Sequence, residues 1–285
     1  MLDALLPLDA PLPLDVPQSA GKQKRRGRVV VLTSGKDGTG KSTVAANLAA
    51  SLARDLSRSV ALVDLDLQMG DHALMFRLPA YPCIEDLLGD FDALTPAILV
   101  DSMHKVQALS ILTAPPTPER ADVFRAWHVR RIISMLAATF DYVVVDIPSQ
   151  LGDITLEAID SADQLVLLTT ARLPSVKDTK RLLRVLGHLG KDADRIIAVL
   201  NETSKVKMSR QVLETSINFP ISVELPMASE ALLDSVIHAV PLVLAAPRSD
   251  FARAITQLDE LIRSTDRLAD EADNAPGWRQ LKETP

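Results

Sequence analysis

The stretch from Val29 to Thr43 decides the fold and reads VVVLTSGKDGTGKST. It opens with a continuous apolar run, which is typical of a strand buried on both faces of a sheet. The pattern G-x-x-x-x-G-K-[ST] follows from Gly35 to Ser42. A helix is predicted directly after it, because apolar side chains recur at helical spacing from Val44 onward. Strand, glycine-rich loop and helix in this order predict a loop that holds the phosphates of a nucleotide.

The residue types in this loop match what phosphate binding requires. Glycines at positions 38 and 40 let the backbone curl so that successive amides point at phosphate oxygens. The next helix adds its positive N-terminal end, Lys41 neutralises the β- and γ-phosphates, and the hydroxyl of Ser42 binds Mg²⁺. We therefore predict ATP and Mg²⁺ as cofactors. The predicted loop contacts to the nucleotide are Asp37, Gly38, Thr39, Gly40, Lys41, Ser42 and Thr43.

Strands and helices alternate along the rest of the chain. Apolar runs predict strands at Val29–Leu32, Val60–Asp64, Leu109–Leu112, Tyr142–Asp146, Gln164–Leu168, Ile196–Leu200 and 221–225. Helical spacing predicts helices at Ser42–Leu56, Arg120–Ala138, 176–189, 206–216, 229–238 and 250–263. This alternation predicts an α/β fold class, namely a doubly wound, mostly parallel sheet with helices on both faces.

Composition divides the chain into three parts. Residues 1–28 form a leader rich in proline and basic residues, which we predict to be disordered; the alternative is a docking peptide that fills a partner's groove. Residues 29–265 are predicted to form one ATPase domain. Residues 266–285 are polar and are predicted to be frayed.

Bulk properties limit the classes of function. The net charge of -6 argues against general binding to nucleic acid or anionic lipid. Cys83 is the single cysteine, so no intrachain disulfide can form, which fits a reducing compartment. No stretch approaches the ~20 apolar residues of a membrane span, and the N-terminus lacks the pattern of a secretory signal. We predict a cytoplasmic protein, with a polar position or an association with a membrane complex left open.

Carboxylates follow two of the predicted strands. Asp64 ends one strand and Asp66 comes two residues later, while Asp146 ends another strand. In a parallel sheet the residues that handle a ligand gather at these carboxyl ends. We predict that Asp146 holds Mg²⁺ through a water ligand and that Asp66 orients or deprotonates the attacking water. The metal ligands are thus predicted among Ser42, Asp66 and Asp146; an N-cap or turn role is the alternative for both aspartates.

The loop from Lys36 to Thr43 resembles the deviant phosphate loop K-G-G-x-G-K-[ST]-T of the ParA/MinD family of ATPases. Spacing alone leaves Lys36 as either a surface lysine or a ligand contact. The resemblance implies that Lys36 crosses a dimer interface to the partner's nucleotide, and hence that ATP drives homodimerisation. It also implies catalytic roles for Lys36, Lys41 and Asp66. Asp37 departs from the family pattern, which has glycine there, and an acidic side chain is expected to weaken phosphate affinity or alter loop closure.

The resemblance covers about Arg28 to Leu261 and extends to the adenine side of the site. The segment at Asn201 is similar to the family's adenine contact, although Glu202 replaces the usual arginine. Pro226 begins the other adenine-side loop, in which Ala228 replaces the usual aspartate. Asn201 and Pro226 are therefore expected to bind the base.

Finer features resemble one branch of the family, the CpaE/TadZ proteins of type IV (Flp/Tad) pilus assembly. They are the segments Leu67–Leu74, Leu112–Glu119, Val240–Leu244 and Pro247–Ser249. The resemblance implies a slow, partner-stimulated ATPase switch that positions a pilus or secretion apparatus, with a protein activator or cargo as partner.

Two other classes of function stay open. A DNA-bound partitioning ATPase would need a basic outer face, for which Lys205, Lys207 and Arg210 offer a small cluster and Arg181 with Arg184 another. We expect weak or no binding to nucleic acid, because the overall charge is negative. A membrane-cycling division-site regulator would need a basic amphipathic C-terminal helix. The polar face of helix 250–263 carries mixed charges, so membrane contact is expected only through a partner.

Overall fold

Eight strands form one sheet in the computed structural model, which describes residues 26–202 and 208–274, with residues 266–274 described by their backbone alone. The strands are β1 (Arg28–Ser34), β2 (Val60–Asp64), β3 (His104–Val106), β4 (Leu109–Leu112), β5 (Tyr142–Asp146), β6 (Gln164–Thr169), β7 (Ile196–Asn201) and β8 (Val223–Leu225). Their order is β3-β4-β2-β5-β1-β6-β7-β8, with β3 antiparallel to β4 and every other pair parallel. The predicted fold class is confirmed.

Helices cover both faces of this sheet. They are α1 (Lys41–Leu52), α2 (His72–Met75), α3 (Pro96–Asp101), α4 (Ala126–Thr139), α5 (Asp153–Ser161), α6 (Leu173–His188), α7 (Arg210–Ile217), α8 (Ser229–Ile237), α9 (Leu242–Ala245) and α10 (Asp250–Asn274). Short 3₁₀ turns lie at Ile84–Leu88, Pro118–Val123 and Ala193–Arg195.

Strand β1 is buried on both faces of the sheet, which explains why its sequence is apolar without interruption. Val29 and Val31 belong to the core on one face of the sheet, together with residues of α4, α5 and α6. Val30 and Leu32 point to the opposite core, which α1 and α10 cover. All four side chains are fully buried, so each position of the strand contributes apolar burial.

The final helix, α10, packs with its apolar stripe toward the sheet. Phe251, Ile255, Leu258 and Ile262 are buried there against α1 and β8. The buried carboxylate of Asp259 accepts a hydrogen bond from the hydroxyl of Ser51 on α1 at 2.9 Å. The stripe is thus used within the fold. The helix runs past the predicted end of the domain at residue 265, to Asn274.

The prediction of one helix over Arg120–Ala138 is wrong. The chain forms the 3₁₀ turn Pro118–Val123 and then becomes extended at Phe124 and Arg125, so that α4 begins only at Ala126. Burial of the Phe124 ring and a 3.0 Å hydrogen bond from the Arg125 amide to His128 Nδ1 stabilise this break.

Other boundaries also differ from the predictions. The helix after the phosphate loop ends at Leu52, and Leu56 is exposed in a turn whose hydrogen bond joins the Ser57 amide to Asp55. The sequence also gave no indication of the short elements α2, α3 and β3, because three to six residues do not display a period. The predicted disorder of residues 1–28 is wrong at its end, because Arg28 already belongs to β1 and Arg26 forms an ion pair with Asp163. The leader up to residue 25, the start of helix 206–216 and the tail beyond residue 274 lie outside the described residues.

Close packing of the phosphate loop against α6 generates a stability prediction. A Cβ atom at Gly35 would lie 2.4–2.6 Å from backbone atoms of Asp178 and Thr179. We expect Gly35→Ala to lower the free energy of unfolding by about 1–3 kcal/mol, because backbone rather than a flexible side chain must move. Urea denaturation measures this change.

Gly187→Ala is the matched control, because Gly187 lies inside α6 with no atom within 4 Å of the added Cβ. Alanine there should raise the free energy of unfolding by roughly 0.5–1 kcal/mol through helix propensity. Equal midpoints for the two variants would contradict the proposed contact.

Candidate nucleotide-binding site

The phosphate loop connects β1 to α1 and has the backbone geometry that its glycines permit. Gly38 and Gly40 have φ angles of 74° and 88°, in the left-handed region that glycine adopts without strain. Gly40 caps the N-terminus of α1, whose first turn directs unpaired amides toward the loop. A Cβ atom at Gly40 would lie 2.5 Å from Nδ2 of Asn201. The loop therefore has the shape of an anion cradle.

Lys41 is held in place by its neighbours. Its Nζ donates a hydrogen bond of 2.8 Å to the hydroxyl of Ser149, in the segment after β5, and lies 3.8 Å from Oδ1 of Asp37. The Ser149 hydroxyl also lies 3.0 Å from that of Ser34 at the end of β1. The lysine side chain is buried, and its contacts are polar groups that a phosphate oxygen can replace.

A cavity of about 680 Å³ opens in front of the loop. Three segments enclose it: the phosphate loop and start of α1, the segment after β2, and the segment between β5 and α5, with a contribution from the 3₁₀ turn Pro118–Val123. The sequence placed candidate residues on the first two of these segments and at the end of β5, and the structure brings the first two together around the cavity. Of the predicted site residues, the cavity is lined by Asp37, Gly38, Gly40, Lys41, Ser42, Thr43 and Asp66.

Asp66 is half-buried at the cavity wall. Its backbone amide donates to Oδ1 of Asp64 at 3.2 Å, and its own Oδ1 accepts from the Met69 amide at 3.2 Å. Burial raises the pKa of Asp66, while the Met69 hydrogen bond and Lys41 act in the opposite direction. A carboxylate with a raised pKa that lines the cavity has the properties of a general base.

Asp146 lies below the cavity and does not line it. It pairs in register with Asp64 on the neighbouring strand, and both carboxylates are 1% exposed. Nε2 of His72, at the start of α2, lies 3.3 Å from Oδ2 of Asp146. The amide of His72 donates to Oδ2 of Asp64 at 3.3 Å. Two buried acids and one buried imidazole thus form a compact cluster.

Burial and the neighbouring charges shift the pKa values of Asp64 and His72. Burial raises the pKa of Asp64 to about 7, although His72 opposes the shift. Burial alone would lower the pKa of His72, but the adjacent Asp64 and Asp146 carboxylates outweigh it and raise that pKa. No sequence motif indicated His72, because its two partners come from the ends of β2 and β5 and leave no spacing pattern.

Lys36 faces a second, smaller cavity of about 160 Å³ on the other side of the loop. Arg172, at the N-cap of α6, lines the same cavity, as does the buried Thr39. Lys36 and Arg172 are exposed, and within the described ranges neither makes an ion pair. No sequence motif indicated Arg172.

The two predicted adenine contacts lie at the ends of adjacent strands. Asn201 ends β7, and its Nδ2 donates a 2.8 Å hydrogen bond to the carbonyl of Thr39, so it supports the phosphate loop. Pro226 follows β8 and is half-buried. The amide of Glu202 donates to the Leu225 carbonyl at 2.9 Å and links the two strand ends. Neither Asn201 nor Pro226 lines the main cavity, and contact with a base stays a prediction.

Comparison with known proteins places this site in a family. The family model ParA, described as NUBPL iron-transfer P-loop NTPase, matches residues 25–259. An uncharacterized ATP-binding protein of Methanocaldococcus jannaschii is 28% identical over 236 residues, which cover 80% of this chain and 85% of that protein. In the described part of the chain, no helix has the length and apolar character needed to cross a bilayer.

Solved structures resemble the whole described fold. A ParA family ATPase from Chlorobium tepidum is 25% identical with a TM-score of 0.76, and the match covers 82% of this chain and 97% of that one. The septum site-determining protein MinD of Pyrococcus horikoshii, solved with Mg-ADP, is 26% identical with a TM-score of 0.73, covering 85% and 97%.

The contact between Asp37 and Lys41 generates a prediction for nucleotide affinity. Asp37→Gly removes an exposed carboxylate that competes for Lys41 and that would repel phosphate. We expect ATP to bind about two- to fivefold more tightly, the range for a weak surface ion pair, as measured by titration with a fluorescent ATP analogue. Asp122→Asn, at another exposed carboxylate that lines the cavity, is the control and should change affinity less. An unchanged or lower affinity in Asp37→Gly would refute a competing role for Asp37.

Proposed function

Because the chain belongs to the ParA/MinD family of P-loop NTPases, we propose that it is an ATP-dependent, dimerising switch that positions cellular machinery. The observation that carries the proposal is that two lysines of the same loop line different cavities. Lys41 lines the main cavity, whereas Lys36 lines the smaller cavity together with Arg172. A lysine that does not reach its own nucleotide cavity is placed to serve the nucleotide of a second protomer.

ATP fits the main cavity by the chemistry of its lining. The phosphates take the cradle of the loop, and Lys41 exchanges its bond to Ser149 for phosphate oxygens. Mg²⁺ fits the oxygen donors at this end of the sheet: Ser42 and Asp66 line the cavity, and Oδ1 of Asp146 is buried without a hydrogen-bond partner. When bound, Mg²⁺ supplies neutralising charge to the phosphates.

Asp66 is the proposed base. It orients the attacking water and takes its proton, which yields ADP and phosphate, and its raised pKa suits that task. Hydrolysis is proposed to be slow in the isolated protein, since Lys36 completes the site only when a second protomer is present.

The segments after β2 and β5 are the proposed switches. Both line the cavity, so a nucleotide bound there would lie against both segments. Met69 and Leu151 in these segments are exposed apolar side chains beside the cavity, as is Leu173 near Arg172. Exposed apolar side chains near the nucleotide site favour an interface that forms and dissolves with the nucleotide state. An activator or cargo protein is proposed to select the ATP-bound dimer.

A type IV (Flp/Tad) pilus or secretion apparatus is the proposed cargo system. Support comes from the segment Leu67–Leu74, whose resemblance to the CpaE/TadZ branch falls on the wall of the nucleotide cavity and on α2. A cytoplasmic location, at a pole or at a membrane complex, follows from this role as part of the same proposal.

The other candidate functions have less support. Arg210 pairs with Glu214, and Arg181 with Asp178, in each case within one helix; Lys205 and Lys207 lie outside the described residues. The apolar stripe of α10 is buried against α1, so it is unavailable to lipid. Iron transfer through an iron–sulfur cluster needs several thiolates, whereas the sequence has one cysteine, Cys83, which is buried.

The first test concerns nucleotide binding. Lys41→Ala removes a charge that makes hydrogen bonds of roughly 1.5–3 kcal/mol each to phosphate oxygens. We expect ATP affinity to fall by about 100-fold or more, as measured by titration with a fluorescent ATP analogue. Lys180→Ala, at an exposed lysine of α6, is the control. Full affinity in Lys41→Ala would overturn the proposed site.

The second test distinguishes the role of Lys36 in dimerisation from the role of Lys41 in nucleotide binding. Lys36→Ala should bind ATP with nearly unchanged affinity but should not form the ATP-dependent dimer, because Lys36 acts on the partner's nucleotide. Size-exclusion chromatography with light scattering, with and without ATP, measures the dimer. Asp66→Ala should show the opposite behaviour: a stable ATP-bound dimer whose hydrolysis is slower by about 10²–10⁴-fold. An ATP-dependent dimer in Lys36→Ala would exclude the mechanism.

A further inference from the structure

The cluster of Asp64, His72 and Asp146 is not used in full by the proposed ATPase mechanism. One donor atom from each side chain lies within 4.8 Å of the other two. All three residues are at most 1% exposed, and none lines the nucleotide cavity. They come from the end of β2, the start of α2 and the end of β5. The fold therefore brings two carboxylates and one imidazole together in its interior.

The cluster's own contacts leave donor atoms unsatisfied. Neither ring nitrogen of His72 has a hydrogen-bond partner in the described ranges, and neither does Oδ1 of Asp146. The 3.3 Å contact from Nε2 to Oδ2 of Asp146 is a close approach without hydrogen-bond alignment. The amide hydrogen bonds to Asp64, at 3.2 and 3.3 Å, leave a lone pair on each of its oxygens. Buried polar atoms without partners cost about 1–3 kcal/mol each, which a ligand would offset.

Charge balance indicates what kind of ligand fits. Two carboxylates side by side in a buried site strongly disfavour ionisation of both unless positive charge is present. A divalent cation balances both carboxylates at once and leaves the imidazole neutral, which is the form that binds metal.

We propose that Asp64, His72 and Asp146 form a binding site for a first-row transition-metal dication that accepts mixed nitrogen and oxygen ligands. The separation of 3.3 Å between Nε2 and Oδ2 agrees with the roughly 3.4 Å expected between two tetrahedral ligands at Zn-type bond lengths. This site shares Asp146 with the proposed Mg²⁺ site but differs from it in its other ligands. Mg²⁺ favours oxygen ligands and water, whereas an imidazole ligand favours the transition series.

A metal here would join the first proposed switch to the sheet. His72 begins α2, which follows the cavity-lining segment Leu65–Asp71, whereas Asp64 and Asp146 are fixed on strands. The ion therefore binds the residues on either side of that segment, Asp64 before it and His72 after it, and fixes both of its ends.

Cobalt(II) is the probe, since its visible absorption reports both binding and coordination geometry. The full-length protein, stripped of metal and free of nucleotide, is titrated with Co²⁺. We expect one ion per chain with tetrahedral-type absorption, and an excess of Mg²⁺ should not displace it. His72→Ala and Asp64→Asn should each weaken binding by about tenfold or more. His238→Ala is the matched control, because His238 also lies close to an aspartate, Asp234, but in an exposed position. This variant should bind Co²⁺ as the unaltered chain does.

Three results would overturn the proposal: no Co²⁺ binding by the unaltered protein, equal binding by His72→Ala, or displacement of Co²⁺ by Mg²⁺. His72→Asn, which retains a polar side chain, is the second variant if His72→Ala fails to fold, and its circular dichroism is checked first. Because nucleotide is absent throughout, failure of this site leaves the ATPase proposal intact, and failure of ATP binding leaves this site intact.

Discussion

The burial of β1 on both faces is the constraint on which the rest of the molecule depends. A strand whose every side chain is apolar is stable only at the centre of a covered sheet, and β1 accordingly lies between β5 and β6. Its carboxyl end then emerges in the middle of one edge, with the ends of β2 and β5 close by. The phosphate loop, the carboxylates and the cavity all derive from that position.

Electrostatics at this edge is arranged in two layers. The upper layer borders the cavity: Lys41 donates a hydrogen bond to Ser149 and lies near Asp37, and phosphate can replace both contacts. The lower layer is buried: the Asp64 carboxylate accepts hydrogen bonds from two backbone amides, and the Asp146 carboxylate lies beside the imidazole of His72. Carboxylates at the cavity and below it thus differ in their energetics, because the interaction energy between two charges rises as water is excluded.

Most of the sheet could be predicted from sequence, because long apolar strands and a helix of 3.6-residue period carry a strong local signal. β2, β5 and the phosphate loop are examples, and Asp66 was predicted at the cavity because a strand end has a fixed direction in a parallel sheet. The start of α4 could not be predicted, since burial of Phe124 overrides a pattern that reads as continuous helix. His72 and Arg172 were missed for a related reason: each meets the site through tertiary contacts that no spacing along the chain encodes.

At Gly35 the backbone of the phosphate loop packs directly against the backbone of α6. Because no side chain separates the loop from the backbone of α6 at Asp178 and Thr179, a displacement at one is a displacement at the other. The N-terminal turn of α6 is in turn fastened to β6 by hydroxyl hydrogen bonds among Thr169, Ser175 and Thr179, and α6 packs on α7. The loop, α6 and α7 therefore form one continuous chain of packed backbone between the phosphate loop and the side of the sheet that β7 and β8 form.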